Sequence, residues 1–227
     1  MALLGEAAIA MWWNMAPDLR SEFEDWHSHE HFPERMSIPG FRRGSRWASE
    51  DGGEGFFVLY ELEAHETLTS PHYLERLNNP TPWSTKMMPH HRNMVRSQCR
   101  VLESHGGGVA QFVLTLSFSP AEGRAAALHR NLSPVLARLP TLPGVTGGHL
   151  LRTETPNAPA TTEQKIRGGD AVADWIILVS GYDRETLEYA ASAELGAPSL
   201  EEAGAMSPPS AISLYRLSHA LTRHDLR

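Results

Sequence analysis

The feature that most constrains the fold is a pattern that occurs twice. Pro39-Gly40-Phe41 follows the first helical stretch, and Pro143-Gly144-Val145 follows the corresponding stretch 104 residues later. An apolar run at 56–62 leads into His65-Glu66-Thr67-Leu68. A second apolar run at 175–182 leads into Arg184-Glu185-Thr186-Leu187, 119 residues after the first. The polar, Pro- and Thr-rich segment 155–169 accounts for the difference in spacing. Short matches in the same order within two halves are the mark of a repeated unit.

Hydrophobic period and turn chemistry give each half the same element order. Residues 7–15 read as a strand apolar on both faces. Asp18 is the expected N-cap of a helix over 19–31. Pro33 disfavours helical geometry at Phe32 and sets the expected end. Strands are expected at 41–47, 56–62 and 93–102, with a hairpin tip at 51–53 and helical segments at 66–77 and 83–88. A glycine-rich linker, 105–108, separates the halves 1–105 and 109–227. The second half reads as strand 109–118, helix 121–139 with Pro134 as a kink or break, and strand 149–153. Loop 155–169, strand 175–182, helix 184–195 and strand 212–221 follow. A β-α-β-β-α-β unit makes an antiparallel sheet with its helices on one face. The other apolar face needs a partner, and two such sheets facing each other would close a barrel. The expected class is α+β with two units in one chain.

Composition removes several functions. The 227 residues carry a net charge of −7, which argues against binding nucleic acid by neutralising phosphates. One cysteine, Cys99, excludes an internal disulfide and a four-cysteine zinc site, and its place on a predicted strand suggests packing. No apolar run approaches the roughly 20 residues of a membrane span. The first residues lack the basic-then-apolar order of a secretory signal, so a cytoplasmic location is expected. Neither a phosphate-binding glycine loop nor a Gly-x-Ser-x-Gly elbow occurs.

Eight of the twelve histidines and five of the six tryptophans precede residue 108, which directs attention to the first half. On the helix over 19–31, Leu19, Phe23, Trp26 and Glu30 share a face, placing a carboxylate in an apolar stripe. Glu30 there is a candidate acid or base, or it is a structural partner of Arg35 or Arg43. His27 and His31, four residues apart, fall on one side of the helix, with His29 elsewhere. An imidazole near neutrality suits proton transfer, and a dipole contact at the helix end is the structural alternative. The same histidines, with Glu30 or His90, also admit a metal reading. Segment 72–83 carries Tyr73, Asn79 and Trp83 and would either cover a pocket or pack as a turn. Met87-Met88-Pro89-His90-His91 would line a cavity or end a helix.

The run Asp25-Trp26-His27-Ser28-His29-Glu30-His31-Phe32-Pro33-Glu34-Arg35, followed by Pro39-Gly40-Phe41, resembles the dimeric α+β barrel superfamily of ferredoxin-like units, nearest its EthD-like branch. His31-Phe32-Pro33 matches that group's His-x-Pro step before the Pro-Gly turn. The second half lacks this step before Pro143-Gly144. The resemblance implies tandem ferredoxin-like repeats forming an intramolecular barrel. It favours His31 over its neighbours, and it brings in cofactor-free oxygenation and haem held by a histidine as variants.

These readings together point to a small-molecule enzyme without an organic cofactor, acting by isomerisation, elimination or decarboxylation on a hydrophobic or aromatic substrate. His31 would be the acid–base residue, assisted by Glu30 and His27, with Arg43 holding an anionic group. Trp12, Trp13, Tyr60, Tyr73, Asn79 and Trp83 would form the pocket, and no metal is expected. A homodimer is compatible with this reading. A metal- or haem-dependent enzyme using the same histidines, or a non-catalytic ligand-binding or assembly protein, is the alternative.

Overall fold

The computed structural model describes residues 3–206, 209 and 211–226. Strands β1 (Ala7–Asn14), β2 (Phe41–Ser49), β3 (Gly55–Leu62) and β4 (Arg92–Gly106) belong to the first half of the sequence. Strands β5 (Phe112–Phe118), β6 (Val145–Thr153), β7 (Trp175–Gly181) and β8 (Ala211–Thr222) belong to the second. Hydrogen bonding orders them β1-β3-β2-β8-β5-β7-β6-β4 and closes the ring into an eight-stranded barrel. The β1–β3, β2–β3, β5–β7 and β6–β7 pairs are antiparallel, as the predicted unit requires.

Cα packing divides the chain into two compact units. One contains Leu4–Arg100, Glu154–Val172 and Ser218–Arg227, and the other is built mainly of Val101–Thr153 and Ala173–Leu217. In the first unit β3 shows why the strands look apolar on both faces. Phe56, Val58, Tyr60 and Leu62 pack with Phe23, Trp26, Phe32 and Met36 of the covering helices. Phe57, Leu59 and Glu61 alternate with them and point to the opposite face. In the second unit Leu114, Leu116, Ile177 and Val179 pack with Leu128, Leu132 and Leu136 of α5 (Ala125–Arg138).

The repeated motifs meet in space. Gly40 and Gly144 have φ of +92° and +88°, a region open to glycine without steric cost. The Gly40 carbonyl accepts from the Glu63 amide at 2.7 Å, and the Gly144 carbonyl from the Tyr182 amide at 2.9 Å. A side chain at Gly40 would lie 2.6 Å from Thr67 Oγ1, and one at Gly144 3.1 Å from Thr186 Oγ1. Each Pro-Gly turn is therefore closed by the Glu-Thr-Leu motif of its own half.

Several expectations need correction. Asp18 does not cap the first helix: Pro17–Leu19 form a short turn ahead of α1 (Arg20–Trp26), and no side chain caps either element. Pro33 does not end the helical path. Residues His27–His31 widen into a π turn, with the Phe32 amide donating to the His27 carbonyl, and α2 continues over Phe32–Met36. The wider turn accommodates a residue that has no amide to offer, and Pro33 then sits in the first turn of α2, where that loss is harmless. Segment 155–169 contains α6 (Thr162–Arg167), capped by Thr161 and Gln164 and ended by Gly168 at φ +84°. The linker residues His105 and Gly106 belong to β4. Pro134 lies inside α5 without dividing it. Beyond α7 (Arg184–Ser192) a further helix, α8 (Ala197–Ala203), precedes β8. Helices α3 (Pro71–Asn78) and α4 (Pro82–Met87) start where Ser70 and Thr81 accept from backbone amides, each followed by proline.

Candidate functional site

Helix α1 turns Phe23 and Trp26 toward the sheet, and the π turn carries His27 and His31 along the same side. Both histidines are buried, and their rings stack with centroids 5.3 Å apart. His91, half-buried at the start of β4, closes the group, with Trp13 4.9 Å from it and 6.0 Å from His27. These side chains, with Trp26, Met11, Met88, Met94 and Arg167, line a small cavity of about 30 Å³. That is room for a single water.

The polar atoms of this cavity are short of partners. Among the described residues, Nδ1 of His27, Nδ1 of His31 and Nε1 of Trp13 are buried without a hydrogen bond. His91 differs: its Nδ1 lies 3.0 Å from the Met88 carbonyl, which only accepts, so Nδ1 carries the proton and Nε2 the lone pair. Burial is the main cause that holds all three imidazoles below their ordinary range. His31 adds to the effect at His27, Arg35 adds to it at His31, and His91 falls to about 4. The three rings are therefore neutral near pH 7, each with one unprotonated ring nitrogen.

The other expected site residues separate. Trp13, Tyr60 and Tyr73 belong to the helix-side core with His27 and His31. The Tyr60 hydroxyl is buried and unpartnered among the described residues, and burial raises its pKa, so it stays protonated. The Tyr73 hydroxyl accepts from Arg96 Nη2 at 2.9 Å. Trp12 and Arg43 lie on the opposite face of the sheet. Trp12 is opposite Phe57 in the register, with ring centroids 4.9 Å apart, and Arg43 is opposite Glu61. Arg43 donates twice to Glu61, at 2.6 and 3.0 Å. Burial raises the Glu61 carboxyl against the opposing pull of Arg43.

Glu30 Oε1 accepts from Trp26 Nε1 at 3.1 Å, Thr81 Oγ1 at 2.5 Å and Ser84 Oγ at 3.4 Å. It pairs with neither Arg35 nor Arg43. It braces α1 against α4, and it does not line the histidine cavity. Trp83 donates to Glu22 at 3.3 Å, and the exposed Asn79 donates to the Glu75 carbonyl. His29 is exposed beside Asp25, and His90 is exposed on the surface. Among the described residues no group of three or more His, Cys, Asp or Glu side chains is disposed to hold a metal ion.

Two of the cavity's polar residues were not among the expected site residues. His91 and Met88 lie in the Met-Met-Pro-His-His run, where a cavity lining was one of two readings. Arg167 comes from α6, inside a segment read as loop. The Thr161–Gln164 capping box is the local signal for that helix. Arg35 and Glu163, both buried, form an ion pair that fastens α6 to α2, and Arg167 makes two hydrogen bonds to Asp170 at 3.1 and 2.9 Å.

No family model matches the chain, and no curated protein does. Solved structures do match it along nearly its whole length. An anthrone oxidase-like protein superposes with a TM-score of 0.65 at 12% identity, covering 98% of this chain and 95% of the other. A structure from Fusobacterium nucleatum, provisionally named a monooxygenase, gives 0.60 at 6% identity over 97% and 96%. One provisionally named a chlorite dismutase gives 0.56 at 12% identity over 94% and 95%. The chain has the dimeric α+β barrel fold. That fold hosts many chemistries, so the activity has to be argued from the cavity. Among the described residues no helix is long and apolar enough to cross a membrane.

Proposed function

We propose that this protein is a small-molecule enzyme in which the neutral imidazoles of His27, His31 and His91 take a proton from a hydrophobic, aromatic substrate, without an organic cofactor. The observation that carries this reading is the cluster of unpartnered, buried ring nitrogens around one aromatic-walled cavity. A neutral base in an apolar enclosure suits removal of a proton from carbon or from a phenol. His31 is the acid–base residue and His27 its assistant. Glu30 acts through Trp26 and Thr81 to position the turn that carries them. Trp13 and Trp26 supply the aromatic wall, Tyr60 and Tyr73 back it from the helix-side core, and Trp83 and Asn79 lie in the segment that borders it. Arg43 and Trp12, on the far face, have no part in this cavity.

Substrate entry displaces Met11, Met88 and Met94, whose flexible thioether side chains repack easily. The halves 1–105 and 109–227 are tandem copies of one unit, of EthD-like type, with the active site in the first copy. The matching turns at Gly40 and Gly144 support this reading. The protein works in the cytoplasm on a small molecule, as a monomer or homodimer, with no nucleic acid or membrane partner.

A second reading, cofactor-free oxygenation, is favoured by the names of the structural neighbours. It shares the first step and differs in what meets the carbanion. Anthrone tests both. In deuterated buffer without oxygen, the protein should accelerate loss of the methylene proton signal, and His31→Gln should remove the acceleration. A rate equal to the buffer blank overturns the proposal. With oxygen present, uptake in step with conversion of anthrone and O₂ to anthraquinone and water selects the oxygenase form.

A further inference from the structure

A second cavity lies beside α6 in the same compact unit, separate from the histidines. It is an open cleft of about 430 Å³. Arg96 and Gln98 of β4 contribute to it, with Gln164 and Lys165 of α6 and the backbone of Gly168 and Gly169. Arg96 and Gln98 also line an adjoining recess of about 50 Å³, whose apolar walls include Leu68, Leu74, Leu77, Pro156 and Pro159.

Arg96 is the unusual residue. It is 7% exposed, and its one side-chain hydrogen bond among the described residues is to the Tyr73 hydroxyl. No carboxylate of the described residues lies within ion-pair distance of it. The other buried arginine of this unit that faces α6, Arg35, has Glu163. Gln98 is 8% exposed, and its side-chain amide has no partner among the described residues. The carboxylate of Asp170 also lines the cleft, but it already holds Arg167. A buried cation without a counter-charge is costly, whereas a guanidinium edge beside an amide donor matches a carboxylate.

We infer that this cleft is a binding site for a small organic monocarboxylate. The carboxylate is held by Arg96 and Gln98, with Lys165 at the rim, and the apolar part of the ligand lies toward the leucine-lined recess. One buried guanidinium, with Asp170 nearby, suits a single negative charge better than the double charge of phosphate. The inference is independent of the role of the histidine cavity.

The test is calorimetric titration of the whole protein with 2-naphthoate and with its neutral counterpart 2-naphthamide. Saturable binding of 2-naphthoate, at least tenfold tighter than that of 2-naphthamide, is expected. Arg96→Met should weaken 2-naphthoate at least tenfold, with Arg96→Lys intermediate. If Arg96→Met fails to fold, Lys165→Glu, on an exposed position, should still weaken 2-naphthoate severalfold and leave 2-naphthamide unchanged. His31→Gln should leave the 2-naphthoate titration as it is. Equal binding of the two probes overturns the inference, as does unchanged affinity in Arg96→Met or Lys165→Glu. Displacement by millimolar inorganic phosphate, or loss of binding in His31→Gln, also counts against it, the latter because the ligand would then sit among the histidines.

Discussion

The His27 and His31 rings lie 5.3 Å apart, inclined by 29°, and the Nδ1 of each is buried without a hydrogen-bond partner among the described residues. Two imidazoles so placed cannot both carry charge cheaply, because each would repel the other away from water. Their pairing comes from four-residue spacing on a widened helical turn, and their chemistry from the apolar wall they face.

This arrangement makes stability depend on pH in a definite direction. In the unfolded chain a histidine titrates near 6.5, whereas folded His91 titrates near 4 and His27 and His31 well below 6.5. Above pH 6.5 both states are neutral at these sites and the stability is fully present. As the pH falls, the unfolded chain binds protons that the folded protein refuses, and stability is lost. For His91 alone the loss across pH 6.5 to 4 is on the order of 2 kcal/mol. Melting temperatures measured from pH 7.5 to 4 should decline through that window, and less steeply in His91→Phe. A flat profile would contradict the neutral-histidine cavity.

Proton transfer should fail before folding does when His31 is changed. His31→Gln is expected to lower proton exchange from anthrone by roughly 10²-fold or more. Its far-ultraviolet circular dichroism should match the parent. The acid limb of the exchange rate should lie below pH 6, because the bases stay unprotonated there. Parent-like exchange in His31→Gln would remove this residue from the mechanism.

The buried ion pair between Arg35 and Glu163 should be strongly asymmetric to mutation. Arg35→Met leaves the Glu163 carboxylate, which is 2% exposed, with only the longer 3.7 Å pair to Arg167, and should cost about 3 kcal/mol in urea unfolding. Replacing both, Arg35→Met with Glu163→Leu, should restore much of that loss, because the under-compensated charge goes with its partner and Arg167 keeps Asp170. A double variant no better than the single one would show that the pair contributes net stability.

The two Pro-Gly turns should respond alike. Gly40→Ala and Gly144→Ala each force a side chain into positive φ and toward a threonine, Thr67 or Thr186. Each is expected to destabilise by about 2 kcal/mol or more. Thermal unfolding of the pair of variants would check whether the turns are structurally equivalent. A loss at one turn alone would break the equivalence.

Some of this protein was legible residue by residue. Element order follows from hydrophobic period and turn chemistry, which are local. The Pro-Gly and Glu-Thr-Leu matches were therefore visible before their contact was. His27 and His31 could be paired because helical spacing fixes neighbours four residues apart, and the π turn preserved that proximity even though Pro33 was expected to end the helix.

The rest depended on tertiary structure. Strand alternation says that Trp12 and Trp13 point to opposite faces, but with both faces apolar it does not say which one the helices cover. The structure put Trp13 with the histidines and Trp12 on the far side, where Arg43 is held by Glu61. Arg35 and Glu163 are 128 residues apart, and no local pattern couples residues at that distance. The same long-range packing brought α6, Arg167 and the cleft at Arg96 onto the first half's sheet. Sequence alone determined the α+β element order and the histidine-bearing helix, because backbone propensity and spacing act over a few residues. Only the folded chain decided which side chains share a cavity, because that depends on which surfaces bury each other.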